Sequence, residues 1–292
     1  MKTVLVTGAS GFLGANLIKK LLTRGDTKVI AILGRPEDKT NFIPRSNNIT
    51  VYPCSKLFSI DFSHVDTLIH TAFSRGDNLQ GLTDSIELAK NVIELVNTQD
   101  IDSLVNISTQ GLYLGLKPGE KVTEDGAIGP NTAYGLAKWA VENMLMLGCQ
   151  KSYTNIRMAS LSANARFLDL FVDRVISQKP ITITAPRQYA SIMDISDAVD
   201  GISSIIDVPV IERDIVYNLG PGVQHSILEY AYSTIEVGKL FCYSPVEVVI
   251  EDAGNEFAIC MDCAKLFTQT GWKPKVSKYE MLKTMFNNKS KQ

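Results

Sequence analysis

Histidine is scarce in this chain, with three among 292 residues (His64, His70 and His225), and the five cysteines are scattered at positions 54, 149, 242, 260 and 263. Cys260-Met261-Asp262-Cys263 is a lone C-x-x-C with no second pair and no histidine cluster near it in the sequence. A zinc or redox site is therefore not expected: the two thiols read as small core residues, and Asp262 as the N-cap of a helix over 264–270. No apolar run approaches the ~20 residues that a membrane span needs. A net charge of −2 supplies no basic footprint for nucleic acid or an acidic membrane. Met1 to Val6 leads directly into a strand and a glycine turn, leaving no room for a signal peptide, so a cytoplasmic location is expected. No internal repeat or low-complexity tract breaks the chain.

What the chain does have is a glycine-rich turn at its start. Gly8-Ala9-Ser10-Gly11-Phe12-Leu13-Gly14 follows the apolar run Val4-Leu5-Val6 and opens a helical stretch that begins Ala15-Asn16-Leu17-Ile18. In a strand–turn–helix the first glycine makes the tight turn, the second lets backbone approach a pyrophosphate, and the third permits close helix–strand packing. The helix N-terminus then offers free N–H groups and the positive end of its dipole to phosphate. Gly8, Ser10, Gly11, Phe12, Leu13 and Gly14 are the candidate dinucleotide-binding residues here.

Downstream, strands alternate with helices. Strands are expected at 3–6, 28–33, 50–52, 67–71 and 103–107, and helices at 15–24, 83–97 and 132–147. Such alternation predicts a parallel, doubly wound α/β sheet with right-handed crossovers. After residue 155 the pattern loosens, with breaks at Pro180 and Pro186 and a returning strand at 215–218.

A second constellation lies in the same half. Tyr134 and Lys138 are four residues apart in a helical stretch, which puts both side chains on one face. A lysine ammonium there favours the phenolate and draws the tyrosine toward the neutral pKa that a general acid/base requires. Thr109 follows the strand at 103–107 and offers a hydroxyl to hold a substrate oxygen beside the phenol. Thr109, Tyr134 and Lys138 thus form a candidate proton-transfer site.

These residues together resemble the extended short-chain dehydrogenase/reductases, the NAD-dependent epimerase/dehydratase family. The resemblance continues through Asp66-Thr67-Leu68-Ile69-His70-Thr71-Ala72, Ile192-Met193-Asp194-Ile195-Ser196-Asp197, Tyr217-Asn218-Leu219-Gly220 and Gly271-Trp272-Lys273-Pro274. It implies a Rossmann-like sheet with a small C-terminal substrate-binding lobe. Residues 1–155 would form the NAD(P)-binding domain, with returning segments near 190–225, and 156–292 would be mostly the lobe. It implies that Tyr134 exchanges a proton with the substrate, that Lys138 tunes it and binds the nicotinamide ribose, and that Thr109 orients the substrate oxygen. Ala72, with Phe73 beside it, would line the cofactor pocket. His70 is expected to pack and bond backbone, Tyr113 to be a half-buried tyrosine, Glu124 and Asp125 to be loop or capping residues, and Trp272 to pack the C-terminal segment. The helices at 83–97 and 132–147 would pair across a homodimer.

The cofactor and the reaction follow from departures. NAD users place a carboxylate at the end of the second strand for the ribose 2′-OH. Here Leu33 or Gly34 holds that place and Arg35 follows, and a guanidinium suits a 2′-phosphate, so NADP(H) is favoured, with NAD(H) as the alternative. Lys39 could assist, offset by Glu37 and Asp38. Dehydratases carry acids after the threonine; Gln110 and Gly111 stand there instead. The resulting expectation is an NADP(H)-dependent reductase of a keto group on a nucleotide-linked sugar. The alternatives are an NAD-dependent sugar-nucleotide epimerase and a non-catalytic dinucleotide sensor, the last opposed by the retained Thr109, Tyr134 and Lys138. For the substrate, Ser160 replaces the asparagine usual in sugar-nucleotide members, and Arg187 is the nearest cation able to reach a diphosphate. A small aldehyde or ketone is the competing substrate class.

Overall fold

The computed structural model describes residues 1–34, 43–60, 63–74, 78–251, 254 and 257–290. In chain order it begins β1 (Lys2–Thr7), α1 (Phe12–Leu22), β2 (Thr27–Leu33), β3 (Ile49–Pro53), β4 (Thr67–His70), α2 (Leu79–Thr98), β5 (Ser103–Thr109), α3 (Ala133–Gly148) and β6 (Ser152–Met158). The second half contains β7 (Ser160–Leu161), α4 (Arg166–Ile176), β8 (Ile181–Ile183), β9 (Tyr189–Ala190), β10 (Ile192–Met193) and α5 (Ile195–Asp207). It closes with β11 (Val216–Leu219), β12 (His225–Ser226), α6 (Ile227–Lys239), β13 (Val248–Ile250), α7 (Ala264–Thr270) and α8 (Lys278–Lys289).

Seven strands form one sheet in the order β11-β6-β5-β4-β1-β2-β3, and every pairing in it is parallel. Strands buried on both faces read as near-continuous apolar runs, as in Val4-Leu5-Val6 and Val29-Ile30-Ala31-Ile32-Leu33. The core divides accordingly. One side of the sheet packs Leu17, Ile18 and Leu21 of α1 with Ile202 and Ile205 of α5. The other packs Val92, Ile93 and Val96 of α2 with Val141 and Leu145 of α3. The strand order reverses between β1 and β4, and ligands of open α/β sheets bind at such a switch point, outside the carboxyl ends of the strands.

A third apolar cluster stands apart, built from α4, α6, α8 and β8. Leu168, Phe171, Val172 and Val175 recur at helical spacing on α4 and are all buried. α6 and α8 each begin with a capping box, Ser226 with Glu229 and Ser277 with Glu280. These reciprocal bonds satisfy first-turn N–H groups that would otherwise have no partner.

Several boundaries differ from the sequence reading. α1 starts at Phe12 rather than Ala15, because Gly11 and Gly14 continue the turn directly into helix. α2 starts at Leu79, where the Asn78 side chain accepts from the Gly81 N–H at 2.7 Å. β5 runs on to Thr109, bringing that residue into the sheet. The helix at Ala264 takes Cys263 rather than Asp262 as its N-cap, although the Asp262 carboxylate still accepts from the Ala264 N–H at 2.8 Å. Cys260 and Cys263 are both buried, and burial pushes the Cys263 thiol up to about 12.

Candidate active site

At the carboxyl ends of β1 and β4 the chain folds around its first glycine. Gly8 has φ +71°, in the left-handed region, and a Cβ there would sit 2.7 Å from the Ala72 N and 2.8 Å from the Thr71 Oγ1. A Cβ on Gly14 would lie 2.2 Å from the Gly8 carbonyl oxygen. Gly11 caps α1 with extended backbone and no side-chain bond, so the N-cap supplies no side chain to the first-turn N–H groups of α1. A glycine turn pressed against the next strand, ahead of a helix N-terminus, is a cradle for a pyrophosphate.

That turn forms one wall of a cleft of about 600 Å³, within the ordinary range for a small-molecule site. Gly11, Phe12, Leu13 and Gly14 line it on one side, and Thr109, Tyr134, Lys138 and Ser160 on the other, with Thr71 and Phe73 between them. Ala72 does not line it; its backbone stands directly behind Gly8. Arg187 is exposed in a turn after β8 and is not among the lining residues. Arg35, Glu37, Asp38 and Lys39 lie outside the described residues.

Tyr134 and Lys138 project from the first two turns of α3, whose N-cap Thr132 accepts from the Gly135 N–H at 3.0 Å. Lys138 is 2% exposed, and its Nζ donates to the Ile107 carbonyl at 2.6 Å. The ammonium stands 3.9 Å from the centroid of the Phe73 ring and 6.0 Å from that of Tyr134. Phe73 also meets Tyr134 edge-to-face at 5.6 Å. Thr109 ends β5, and its Oγ1 accepts from the Gly111 N–H at 3.1 Å, which holds the hydroxyl in one orientation at the cleft. A phenol, an ammonium and a hydroxyl thus share one wall of the cleft that the glycine turn faces.

Comparison with known proteins gives the same picture at the level of whole chains. The NAD dependent epimerase/dehydratase family matches residues 4–220. The chain belongs to that family. Among its relatives, a protein described as a putative UDP-glucose 4-epimerase of Methanocaldococcus jannaschii is 24% identical, with 97% of each chain covered. Among solved structures, the UDP-glucuronic acid 4-epimerase of Bacillus cereus, in complex with UDP-glucuronic acid and NAD, superposes with a TM-score of 0.81 at 20% identity over 99% of each chain. The dTDP-glucose 4,6-dehydratase of Bacillus anthracis, in complex with NAD, superposes with a TM-score of 0.84 at 18% identity, covering 100% of this chain and 97% of that one. These likenesses establish the Rossmann-type fold, with its parallel sheet and flanking helices.

For this family member the structure refines several residues. His70 is fully buried at the end of β4, and its Nδ1 pairs with the Thr7 hydroxyl at 2.8 Å, not with backbone as expected. Burial, with the neighbouring Lys138 charge, lowers its pKa to about 3, so the ring is neutral at physiological pH. Tyr113 is 3% exposed rather than half-buried. Its hydroxyl donates to Asn218 Oδ1 at 2.7 Å and accepts from Arg157 at 3.0 Å. Glu124 is more than a loop residue, since its Oε1 accepts from the Asn218 N–H at 2.9 Å. Trp272 is buried against Phe267 and α5. Ser160, exposed on β7, accepts from Gln110 Nε2 at 3.1 Å.

Sequence reasoning missed a buried pair of opposite charges. Glu142, on α3, and Arg157, on β6, form an ion pair 2.8 Å long whose side chains are 4% and 5% exposed. A signal was available: Glu142 continues the four-residue spacing of Tyr134 and Lys138, on the same helical face.

No helix among the described residues is long and apolar enough to cross a membrane.

Proposed function

We propose that this protein is a nucleotide-sugar epimerase that oxidises one sugar carbon and then reduces it again, with NAD retained throughout. The observation that carries the reading is Tyr134 with Lys138 and Thr109 on one wall of the cleft that the glycine turn faces. Gly8 and Gly14 fit a dinucleotide, since a Cβ at either would fill the space the turn needs for close approach. Gly11, Phe12, Leu13 and the N-terminus of α1 would hold its phosphates, and Lys138 its ribose. Ser10 sits in the same turn. The bound dinucleotide supplies the hydride acceptor and donor.

Tyr134 takes the proton of the sugar hydroxyl as the carbon is oxidised and returns it when the carbon is reduced from the other face. Lys138 favours the ionised phenol, and the Phe73 ring packed against the ammonium limits screening of its charge. Thr109 holds the sugar oxygen in line, which supplies rate through positioning. Ser160 and Arg187 are the residues we assign to the substrate, in the lobe built around α4, α6 and α8. Leu136, Met146 and Leu147, exposed on α3, and Leu79, exposed on α2, support a homodimer formed by these two helices.

A second reading is net reduction of a nucleotide-linked keto sugar by NADPH. Its support is the end of β2, where Leu33 and then Gly34 occupy the place of the carboxylate that NAD users present. One experiment separates the two. The protein is purified without added cofactor, denatured, and the released dinucleotide identified, and the native protein is incubated with UDP-glucose and UDP-glucuronic acid, the sugar nucleotides that its relatives' names carry. Stoichiometric NAD with interconversion of 4-epimers is the expected result. Empty protein that binds NADPH more tightly than NADH, and converts neither sugar, would overturn the epimerase and favour the reductase.

A further inference from the structure

Tyr134, Lys138 and Glu142 form one stripe along α3, and the last two bond to consecutive residues of β5. Lys138 donates to the Ile107 carbonyl, the Ser108 hydroxyl donates to Glu142 Oε1, and Thr109 stands at the cleft. Glu142 is also gripped from the next strand. Arg157 reaches both of its oxygens, through Nε at 3.2 Å and through a terminal nitrogen at 2.8 Å. Ser108, Arg157 and Asn218 are direct lateral neighbours across β5, β6 and β11. The other terminal nitrogen of Arg157 donates to the Tyr113 hydroxyl and, at 2.9 Å, to the Glu124 carbonyl. Asn218 Nδ2 in turn donates to the carbonyls of Val122 and Asp262, both at 3.0 Å. Tyr113, Glu142, Arg157 and Ser108 are each at most 5% exposed, and Asn218 is fully buried.

A buried ion pair is poor evidence for stability, because desolvation offsets its attraction; fixing a register is the best-attested use of such a pair. Here the register in question is that of the helix carrying the acid/base pair on the strand carrying Thr109. We propose that Glu142, forked by Arg157 and bonded to Ser108, is the positioning residue that holds Tyr134 and Lys138 in alignment with Thr109. It touches neither substrate nor cofactor. The inference rests on the reading of Tyr134 as the acid/base, and its test is arranged so that each can fail separately.

The informative variant removes both charges, Glu142→Met/Arg157→Met, so that no buried charge is stranded. Hydrogen exchange, read by mass spectrometry on peptides of α2 and α3, is the first readout. Faster exchange in residues 133–142, with α2 unchanged and the fold intact by circular dichroism, is expected; native exchange in α3 would overturn the proposal whatever the enzyme's activity. The second readout is steady-state kinetics, where kcat should fall at least tenfold with KM and the dinucleotide Kd within about twofold of native. The acid limb of the kcat–pH profile should also move to higher pH. The charged and titratable neighbours of this stripe are Tyr134, Lys138 and Glu142 on α3, His70 on β4, Tyr153 and Arg157 on β6, and Tyr113 and Glu124 beside Arg157. The double variant removes one positive and one negative charge, so a shift upward reports loss of Lys138 alignment. Native kcat and limb would overturn the proposal. Should the double variant fail to fold, Ser108→Ala takes its place: it keeps the ion pair, removes only the tie to β5, and should show the same kcat loss in milder form, while native kcat there would overturn the proposal. Tyr134→Phe is run beside these variants; if it turns over like the native protein, the acid/base reading fails and the exchange data alone decide the positioning.

Discussion

Gly8 and Gly25 hold the same backbone angle in very different surroundings, and the pair isolates what the cofactor cradle demands. Both lie in the left-handed region, at φ +71° and +72°. A Cβ on Gly25 would meet nothing within 4 Å, whereas one on Gly8 would press on backbone atoms of Ala72 at 2.7 and 2.8 Å. Gly25→Ala therefore has only the conformational penalty, about 1 kcal/mol. Gly8→Ala adds overpacking against backbone that cannot rotate away, a further ~1–3 kcal/mol. For a chain of 292 residues the unfolding entropy is about 0.6 kcal/mol per kelvin, so 1 kcal/mol moves Tm by roughly 1.6 °C. The expected losses are thus about 2 °C for Gly25→Ala and about 3–6 °C for Gly8→Ala by differential scanning fluorimetry. The same shift moves the turn away from the N-terminus of α1, so NAD affinity by isothermal titration should fall at least tenfold in Gly8→Ala and stay native in Gly25→Ala. Equal melting losses in the two variants, or native NAD affinity in Gly8→Ala, would refute the close approach of Gly8 to β4 as the reason for glycine at this position.

Other outcomes follow from the same structure. Tyr134→Phe and Lys138→Met should each lower kcat by about 10²–10⁴-fold with the melting temperature nearly unchanged, the scale expected when a positioned acid/base is lost; a loss below tenfold would exclude Tyr134 as the proton carrier. His70 stays neutral in the fold down to about pH 3 but protonates near pH 6.5 when unfolded, so its burial costs stability progressively as pH falls from about 6.5 toward 3. In urea titrations across that window His70→Gln should lose less stability than the native chain, and parallel pH curves would contradict this. Ser226→Ala removes the cap of α6 and should cost about 1 kcal/mol in chemical denaturation, without effect on NAD binding.

Six of the seven strands were legible, because apolar runs such as those of β1 and β2 stand out and the helices between them are punctuated by glycine and polar caps, so β1 through α3 could be ordered from pattern alone; β6 was not read, since Ser152-Tyr153-Thr154-Asn155-Ile156-Arg157-Met158 has no apolar run. The acid/base pair was legible for a related reason: its spacing is local, four residues on one helix. Glu142 and Arg157 were not read, because their meaning lies in the pairing of β5 with β6, which brings Ser108 beside Arg157. Of the second-half helices only the one at 264–270 was read; α4, α5, α6 and α8 were not, although their signals are present. Ser226 with Glu229 and Ser277 with Glu280 are sequence signatures of helix starts, and α4 carries its apolar residues at helical spacing. Cofactor choice turned on Arg35, which lies outside the described residues, and a single guanidinium in the sequence does not fix a binding preference.

Phe73 offers its face to the Lys138 ammonium and stands perpendicular to the Tyr134 ring. An ammonium held on an aromatic face and a carbonyl has little need of water, and the quadrupole that holds it is present with or without substrate. The charge that steadies the phenol is thus fixed when the chain folds, and little has to reorient when a sugar arrives or leaves. For the epimerisation proposed above, whose forward and reverse halves run on the same carbon, that stiffness has a kinetic meaning. The solvent-like reorganisation that would accompany each proton transfer in water is largely absent from both halves, so the ketone intermediate need not wait for the site to adjust before it is reduced again.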